Sequence, residues 1–498
     1  MLTLMGLGPG DASLITREAW AALEAADAIV LRTRRHPAVA GLPARLRRRS
    51  FDRFYDSSDD FDAVYARIVE AVLKLARKGD VIYAVPGHPL VGEATVPLLL
   101  AGAREAGIPT RIIAGLSFIE PSLEALALGE AARGVPQVDP LEGLQMCDAL
   151  DLASLHHPPL NPDKPALIAQ IYSRAIASEV KLTLMNQYPP EHPVRVVNAV
   201  AARTRAPTLE LALHALDRGE HFDHLSSLYV PAIPRLGGWG GSSFEELQET
   251  LARLRAPDGC PWDQKQTHAS LRESLLEEAC EVLDAIDADD PQALKEELGD
   301  LLFNVIFHTQ LATEAETFRM TDVIAEVDAK LKRRHPHVFG TLKVSGVADV
   351  LTNWDAIKRQ EHVDKGAARA SALDGVSSAL PALAQSQKLQ QRAERAGFKW
   401  ETTAQRLRKV REELREVIAA REPEHQTEEL GDLLFTLVNY AIAHGIDAEL
   451  ALRGANRKFG RRFRGVEQLA RARGMDMKAE PVSRLMALWR EAKAAQAT

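Results

Sequence analysis

An acidic pattern that occurs twice constrains this chain more than any other feature. Glu277-Glu278-x-x-Glu281 precedes Glu297-x-x-Asp300, and Glu412-Glu413-x-x-Glu416 precedes Glu429-x-x-Asp432. In both copies the second half lies in the phrase Glu-Leu-Gly-Asp-Leu-Leu-Phe, at 297–303 and 429–435. Carboxylates three or four residues apart share one face of an α-helix. Like charges so placed repel and weaken the helix unless something positive sits between them. Two such helices packed face to face would gather four or more carboxylates around one point, a donor set suited to a hard divalent cation such as Mg2+.

The register identifies a duplication. Glu277 to Glu412 and Glu281 to Glu416 both span 135 positions, whereas Glu297 to Glu429 and Asp300 to Asp432 both span 132, so the second inter-helix loop is three residues shorter. Lys330-x-x-Arg333-Arg334 recurs as Lys458-x-x-Arg461-Arg462, Trp354 recurs as Trp489, and Trp262 is answered by Trp400. Each unit reads as two acidic helices, a basic helix and a Trp-bearing helix.

A chain of 498 residues is too long for one core, and two to four domains are expected. A net charge of −8 argues against nucleic acid as a bulk electrostatic partner. The basic stretch Arg45-Leu46-Arg47-Arg48-Arg49 is short and reads as solvated surface. Three cysteines without CxxC spacing suit a reduced cytoplasm better than a disulfide framework. No apolar run is long enough to span a bilayer, so no membrane partner is expected and a cytoplasmic location is.

The first 235 residues alternate short apolar runs with helical stretches, the mark of an α/β domain. Strands are expected from Leu2, at Ala28–Leu31, Val81–Val85, Thr110–Ile113, Ala166–Ala169, Lys181–Met185 and Val194–Val197, with a helix over Leu14–Ala26. Residues 236–243 are Gly-rich and read as a flexible linker. Beyond them helical periodicity dominates, which gives a first all-α repeat at 244–365 and a second at 366–498. Gly299 and Gly431 fall mid-helix, where each costs about 1 kcal/mol against Ala, so a close helix–helix or helix–ligand approach is expected there.

A carboxylate cage beside helical Lys/Arg clusters, with no P-loop, points to a nucleotide polyphosphate hydrolase. The segment from Phe244 onward also carries Asp258-Gly-Cys-Pro-Trp-Asp263, Arg333-Arg-His-Pro-His-Val-Phe339, Leu380-Pro-Ala-Leu383 and Lys458-Phe-Gly-Arg-Arg-Phe463. With EExxE and ExxD, these motifs resemble the MazG-type nucleoside triphosphate pyrophosphohydrolases. The resemblance implies an all-α fold, assembly across a homodimer or higher homo-oligomer, and Mg2+-supported cleavage of an NTP to NMP and pyrophosphate, with Mn2+ as an alternative ion. It implies that Glu413, Glu416, Glu429 and Asp432 hold the metal, with Glu278, Glu281, Glu297 and Asp300 as their counterparts. Lys409, Lys458, Arg461 and Arg462, and in the first copy Lys330, Arg333 and Arg334, would bind the triphosphate. Trp489 would lie near the nucleotide. The catalytic acids are taken as Glu412, Glu413 and Glu416, with Glu412 orienting or deprotonating the attacking water. One departure separates the copies: Lys409 is matched by Ser274, so the second repeat is expected to be the more active. His335 and His337 read as helix-end packing rather than as ligands.

In the α/β part, Gly6-x-Gly8-Pro9-Gly10-Asp11 follows a strand but lacks the full GxGxxG spacing of a dinucleotide loop. Together with Val85-Pro-Gly-His-Pro-Leu-Val-Gly92, Ile113-Ala-Gly-Leu-Ser-Phe118 and Leu184-Met-Asn-Gln-Tyr-Pro189, it resembles the tetrapyrrole (precorrin/uroporphyrinogen-III) methylases. That resemblance implies two α/β subdomains enclosing S-adenosylmethionine, lined by Gly87, His88, Val91, Ser117 and Met185. His88 stands where such methylases carry Asp, which puts a side-chain contact to the cofactor in doubt. The expected whole is a multidomain protein, a methylase-like α/β domain followed by helical repeats that act in nucleotide-pool control. The rival expectations are a methyltransferase with an accessory helical dimerisation module, and a helical part that serves only as an interaction module.

Overall fold

Leu2–Gly6 (β1) is buried at all five positions, as an interior strand of a parallel sheet must be. The computed structural model describes residues 1–57, 60–128, 139–198, 208–219, 222–235, 240–364 and 371–495. The chain divides into two units, Met1–Val323 and Ile324–Thr498.

In the first unit, β1 pairs in parallel with β4 (Val81–Val85) and β5 (Thr110–Ile113), while β2 (Ala28–Leu31) pairs in parallel with β4 and with β3 (Arg47–Ser50). The order is β3-β2-β4-β1-β5. Helices α1 (Arg17–Ala25), α2 (Asp52–Tyr55), α3 (Phe61–Ala76), α4 (Thr95–Glu105) and α5 (Ile119–Leu128) make the connections and flanks. Leu2, Leu4, Tyr83 and Val85 from the sheet meet Val64, Ile68, Val72 and Leu99 from α3 and α4 in one core. A second, mixed sheet follows in the order β6-β7-β10-β8-β9, from β6 (Gln145–Asp148), β7 (Ala166–Ala169), β8 (Pro193–Asn198), β9 (Thr208–Ala212) and β10 (Ser226–Val230). Its core takes Ile168, Val196 and Leu228 from the strands and Ala177, Val180 and Leu184 from α7 (Arg174–Leu184), which follows the short α6 (Ala149–Ala153).

One expectation is corrected. Lys181–Met185 is the end of α7 and its C-cap, because Ser173 caps a helix whose buried positions Ala177, Val180 and Leu184 recur every three or four residues. Arg45, Arg47 and Arg49 are exposed, as expected, though Arg47–Arg49 lie on an edge strand where the half-buried Arg48 guanidinium donates to the carbonyls of Val39, Leu42 and Pro43. Of the expected linker, residues 236–239 lie outside the described residues. Its remainder is anchored, since Ser242 and Ser243 N–H donate to Asp163 and Ser243 caps α8 (Phe244–Arg255).

From α8 onward the named elements are helical. The first unit continues through α9 (Arg272–Ala288) and α10 (Pro291–Glu314) into α11 (Met320–Arg334), around a core of Leu251, Leu271, Ile306, Phe307 and Leu311. Asp290 caps α10 and Pro291 occupies its first turn, which turns the chain back against α9. The second unit adds α12 (Pro336–Phe339), α13 (Val347–Asp364), α14 (Ala382–Arg395), α15 (Thr403–Ala419), α16 (Pro423–Ala443), α17 (Ala448–Ala472) and α18 (Val482–Ala495). A capping box between Thr402 and Gln405 starts α15, and Val466, Ala470, Leu488 and Ala492 pack α17 on α18. The expected boundary between the repeats, at 365/366, lies outside the described residues.

Candidate functional sites

Each acidic pattern folds into a helical hairpin, α9–α10 in the first unit and α15–α16 in the second. Glu278, Glu281 and Glu297 bring carboxylate oxygens within 4.8 Å of one another, and Glu413, Glu416 and Glu429 do the same. Asp300 and Asp432 stand outside these two groups. Desolvation, then the charges of Asp300 and Glu281, push the Glu278 carboxyl above its usual range. Glu297 is raised by desolvation and by Glu281, and Glu416 by desolvation, Glu413 and Glu429. All-oxygen donors that repel one another fit a hard dication, which would relieve the repulsion.

The hairpins differ where the sequence said they would. Lys409 Nζ stands 2.8 Å from both Glu412 Oε1 and Glu413 Oε1, so it neutralises part of its own cluster. These hydrogen bonds, Glu412 first and Glu413 next, hold the Lys409 ammonium well above its ordinary range. In the first copy, Ser274 Oγ accepts instead from Asn304 Nδ2 at 3.3 Å. A second addition was not foreseen: His425 Nε2 lies 2.7 Å from Glu429 Oε1, one turn along α16. A Cβ on Gly299 or Gly431 would meet nothing within 4 Å, so the expected close helix–helix approach is absent among the described residues.

The basic residues belong to the second unit. On α11, Arg333 and Arg334 both reach Glu361 at 2.7 Å, and hydrogen bonds from Arg334, then Arg333, pull the Glu361 carboxyl down to about 2. Arg334 also lies over Trp354, 5.6 Å from the ring centroid. On α17, Arg462 repeats the arrangement over Trp489 at 6.0 Å. The position matching Glu361 is Gln496, outside the described residues, and Lys458 and Arg461 are exposed. His335 accepts no role at the acids: its ring packs edge-on against Trp354 and its Nδ1 lies 2.7 Å from the Leu331 carbonyl.

The α/β part holds a separate cavity of about 700 Å³ lined from both sheets. It opens at the carboxyl ends of the parallel strands, where ligands of open α/β sheets bind. Three glycine loops close in on each other there. A Cβ on Gly6 would stand 2.4 Å from the Gly87 carbonyl oxygen and 2.7 Å from Gly115 N, and Gly87 has φ +66°, so only glycine fits. Gly87 and Val91 line the cavity; His88, Ser117 and Met185 do not. Ser117 Oγ donates to Glu120 at 2.6 Å, and His88 Nδ1 accepts from Leu90 N–H at 3.1 Å. Sequence reasoning missed Arg32, Arg35, His36, Tyr55 and Tyr65, which line the same cavity. The signal was Arg32-Thr-Arg-Arg-His36, which leaves β2 at the carboxyl edge.

Known families match in the same order. The tetrapyrrole (corrin/porphyrin) methylases match residues 1–210, the MazG nucleotide pyrophosphohydrolase domain matches 266–339, and phosphoribosyl-ATP pyrophosphohydrolase matches 383–459. The nucleoside triphosphate pyrophosphohydrolase/pyrophosphatase MazG of Thermotoga maritima is 40% identical over 258 residues, 52% of this chain and 98% of its own. This chain belongs to the MazG family. Its MazG part is also 43% identical to the nucleoside triphosphate pyrophosphohydrolase of Escherichia coli K12, across 51% of this chain and 97% of that one. The fusion of MazG repeats to a methylase domain recurs in the uncharacterized protein YabN of Bacillus subtilis, 37% identical across 99% of this chain and 98% of its own. Among solved structures, uroporphyrin-III-C-methyltransferase from Thermus thermophilus is 20% identical, with a TM-score of 0.33 over 46% of this chain and 94% of that one.

Proposed function

We propose that the helical part of this MazG-family chain is a Mg2+-dependent nucleoside triphosphate pyrophosphohydrolase, which converts NTP and water to NMP and pyrophosphate in nucleotide-pool control in the cytoplasm. The observation that carries this reading is the convergence of Glu413, Glu416 and Glu429 within 4.8 Å beside Lys409. Glu413, Glu416 and Glu429, with Asp432, would hold Mg2+ or Mn2+, and the first copy would use Glu278, Glu281, Glu297 and Asp300. The ion would supply Lewis-acid polarisation of the phosphoryl oxygens. Lys458, Arg461 and Arg462 donate to the phosphate chain and neutralise charge that develops on the departing pyrophosphate. Glu412, its carboxylate half-exposed next to Lys409, would orient or deprotonate the attacking water. No helix among the described residues is long and apolar enough to cross a membrane.

A panel of nucleoside triphosphates incubated with Mg2+ tests the reading by product analysis. Pyrophosphate and NMP are expected; orthophosphate with NDP, or no turnover, would end it.

The glycine-loop cleft favours a second activity, S-adenosylmethionine binding by residues 1–235, with Gly87 and Val91 beside the cofactor. Main-chain contacts at the loop survive the His88 replacement, whereas an aspartate contact would not. Calorimetry with S-adenosylmethionine tests this part alone, and no heat at millimolar ligand would remove it.

A further inference from the structure

We infer that the first-sheet side of the cleft is a second binding site, built for an uncharged planar nitrogen heterocycle of the nucleobase class. The key residue is His36. It is 5% exposed, it lines the cavity, and neither its Nδ1 nor its Nε2 has a partner among the described residues. Buried polar atoms are ordinarily paired, so a ligand group that reaches either nitrogen completes this wall. Burial, then the neighbouring His224, lowers the imidazole pKa to about 4, which keeps the ring neutral with one N–H donor and one bare nitrogen acceptor. A ligand that carries both donors and acceptors can pair with whichever nitrogen it reaches.

The walls specify the rest. Tyr55, Phe61 and Tyr65 stack and tilt against one another with centroids 6.2 to 6.5 Å apart, a surface for a flat ring. The cations there are already matched: Arg32 Nη1 meets Glu93 at 2.8 Å and Arg35 Nη2 meets Asp56 at 2.6 Å. Asp52 adds a carboxylate, held by Thr33 Oγ1 and the Arg34 N–H. Such a wall presents no surplus positive charge, so a polycarboxylate gains nothing from it, whereas a neutral base with mixed donors and acceptors does. The cavity of about 700 Å³ leaves room for this ligand beside a cofactor at Gly87.

The inference rests on the cleft reading above, in which the glycine loops take S-adenosylmethionine. The experiment is calorimetry on the full chain with saturating S-adenosylhomocysteine and no divalent metal. Adenosine, guanosine, cytidine, uridine and the carboxylated porphyrin uroporphyrin III are titrated in turn. Nucleosides lack phosphate, so they avoid the arginines of the helical repeats. At least one nucleoside is expected to bind, and His36→Phe, which keeps a flat ring in the same space, should weaken it at least about tenfold, the scale of one lost hydrogen bond. Tyr65→Leu serves as a second variant that leaves His36 in place and should also weaken it. In both variants the S-adenosylhomocysteine affinity should stay within about twofold, the arm that reports on the cofactor site separately. The proposal is overturned if no nucleoside binds at millimolar concentration or if only uroporphyrin III binds. It is equally overturned if S-adenosylhomocysteine competes every nucleoside away, or if both variants bind like wild type.

Discussion

The guanidinium of Arg462 lies 6.0 Å from the ring centroid of Trp489, and its Nε is buried without a partner among the described residues. Arg334 and Trp354 repeat this geometry one copy earlier, but there Glu361 takes the guanidinium donors. A ring under a guanidinium fixes the plane of its donor fork, which matches two phosphate oxygens at once. Arg462→Lys keeps the charge and loses the fork. The KM for an NTP is expected to rise about tenfold, the equivalent of one charge-assisted hydrogen bond, with melting temperature nearly unchanged. Steady-state kinetics beside a thermal melt checks it.

Glu416 and Glu281 occupy the same place in the two hairpins, but Lys409 beside the second cluster is matched by Ser274 in the first. Glu416→Ala is expected to lower pyrophosphate release at least about a hundredfold, since even an outer-shell partner of a metal site costs 10 to 100-fold. Glu281→Ala should cost much less. Equal losses in the two variants would show both copies to be equally active.

Much of this is legible in the sequence itself. The acid phrases, the 135 and 132 spacings and the β2, β4, β5 and β7 runs all encode local periodicity, and the elements stand where those runs are. What was missed depends on tertiary context. β10 begins Ser226-Ser227 and reads as a loop, yet it is central in its sheet and buried throughout. β3 is three arginines and a serine, a strand only because it lies along β2 at an edge. Lys181-Leu-Thr-Leu-Met185 alternates like a strand, and only the cap at Ser173 reveals the helix. The cleft side chains escaped notice because the Arg32–His36 loop after β2 and Tyr65 on α3 are separate segments that only the folded domain brings together.

The raised Glu278, Glu297 and Glu416 carboxyls set a pH dependence for cation binding. Protons and the dication compete for the same oxygens, so affinity is full above the raised values and falls as pH drops through them. Because these values lie above the ordinary carboxylate range, the loss begins at higher pH than for isolated glutamates. Isothermal titration with Mn2+ between pH 5 and pH 8 should show affinity falling toward pH 5, with proton release on binding. A flat profile would contradict the cluster.

Glu361 titrates in the opposite sense. Its carboxyl, pulled down to about 2 by Arg334 and Arg333, contributes stability above the ordinary glutamate value near 4.3 and loses it as pH falls toward 2. Arg333 is half-exposed, so the pairing is discounted to about 1–2 kcal/mol. Glu361→Gln should therefore lower the melting temperature at pH 7 and converge on wild type near pH 2.

Leu298, Leu302 and Val305 on α10 are 48%, 40% and 42% exposed; their counterparts Leu430, Leu434 and Leu437 on α16 are 48%, 46% and 43% exposed. The i, i+4, i+7 spacing makes each set one apolar stripe, left open in both copies on the helix that carries Glu297 or Glu429. Glycines with nothing within 4 Å, Gly299 and Gly431, flank the same stripes and allow a partner backbone to approach. A second copy of the chain is the expected cover, as in a homodimer. Burying one leucine side chain is worth about 1.5–3 kcal/mol, so Leu434→Glu should raise the dimer dissociation constant by at least about tenfold. Sedimentation velocity over a concentration series reads this directly. A wild-type chain that stays at the mass of one copy at micromolar concentration would refute it, because the stripes would then face water in the native state.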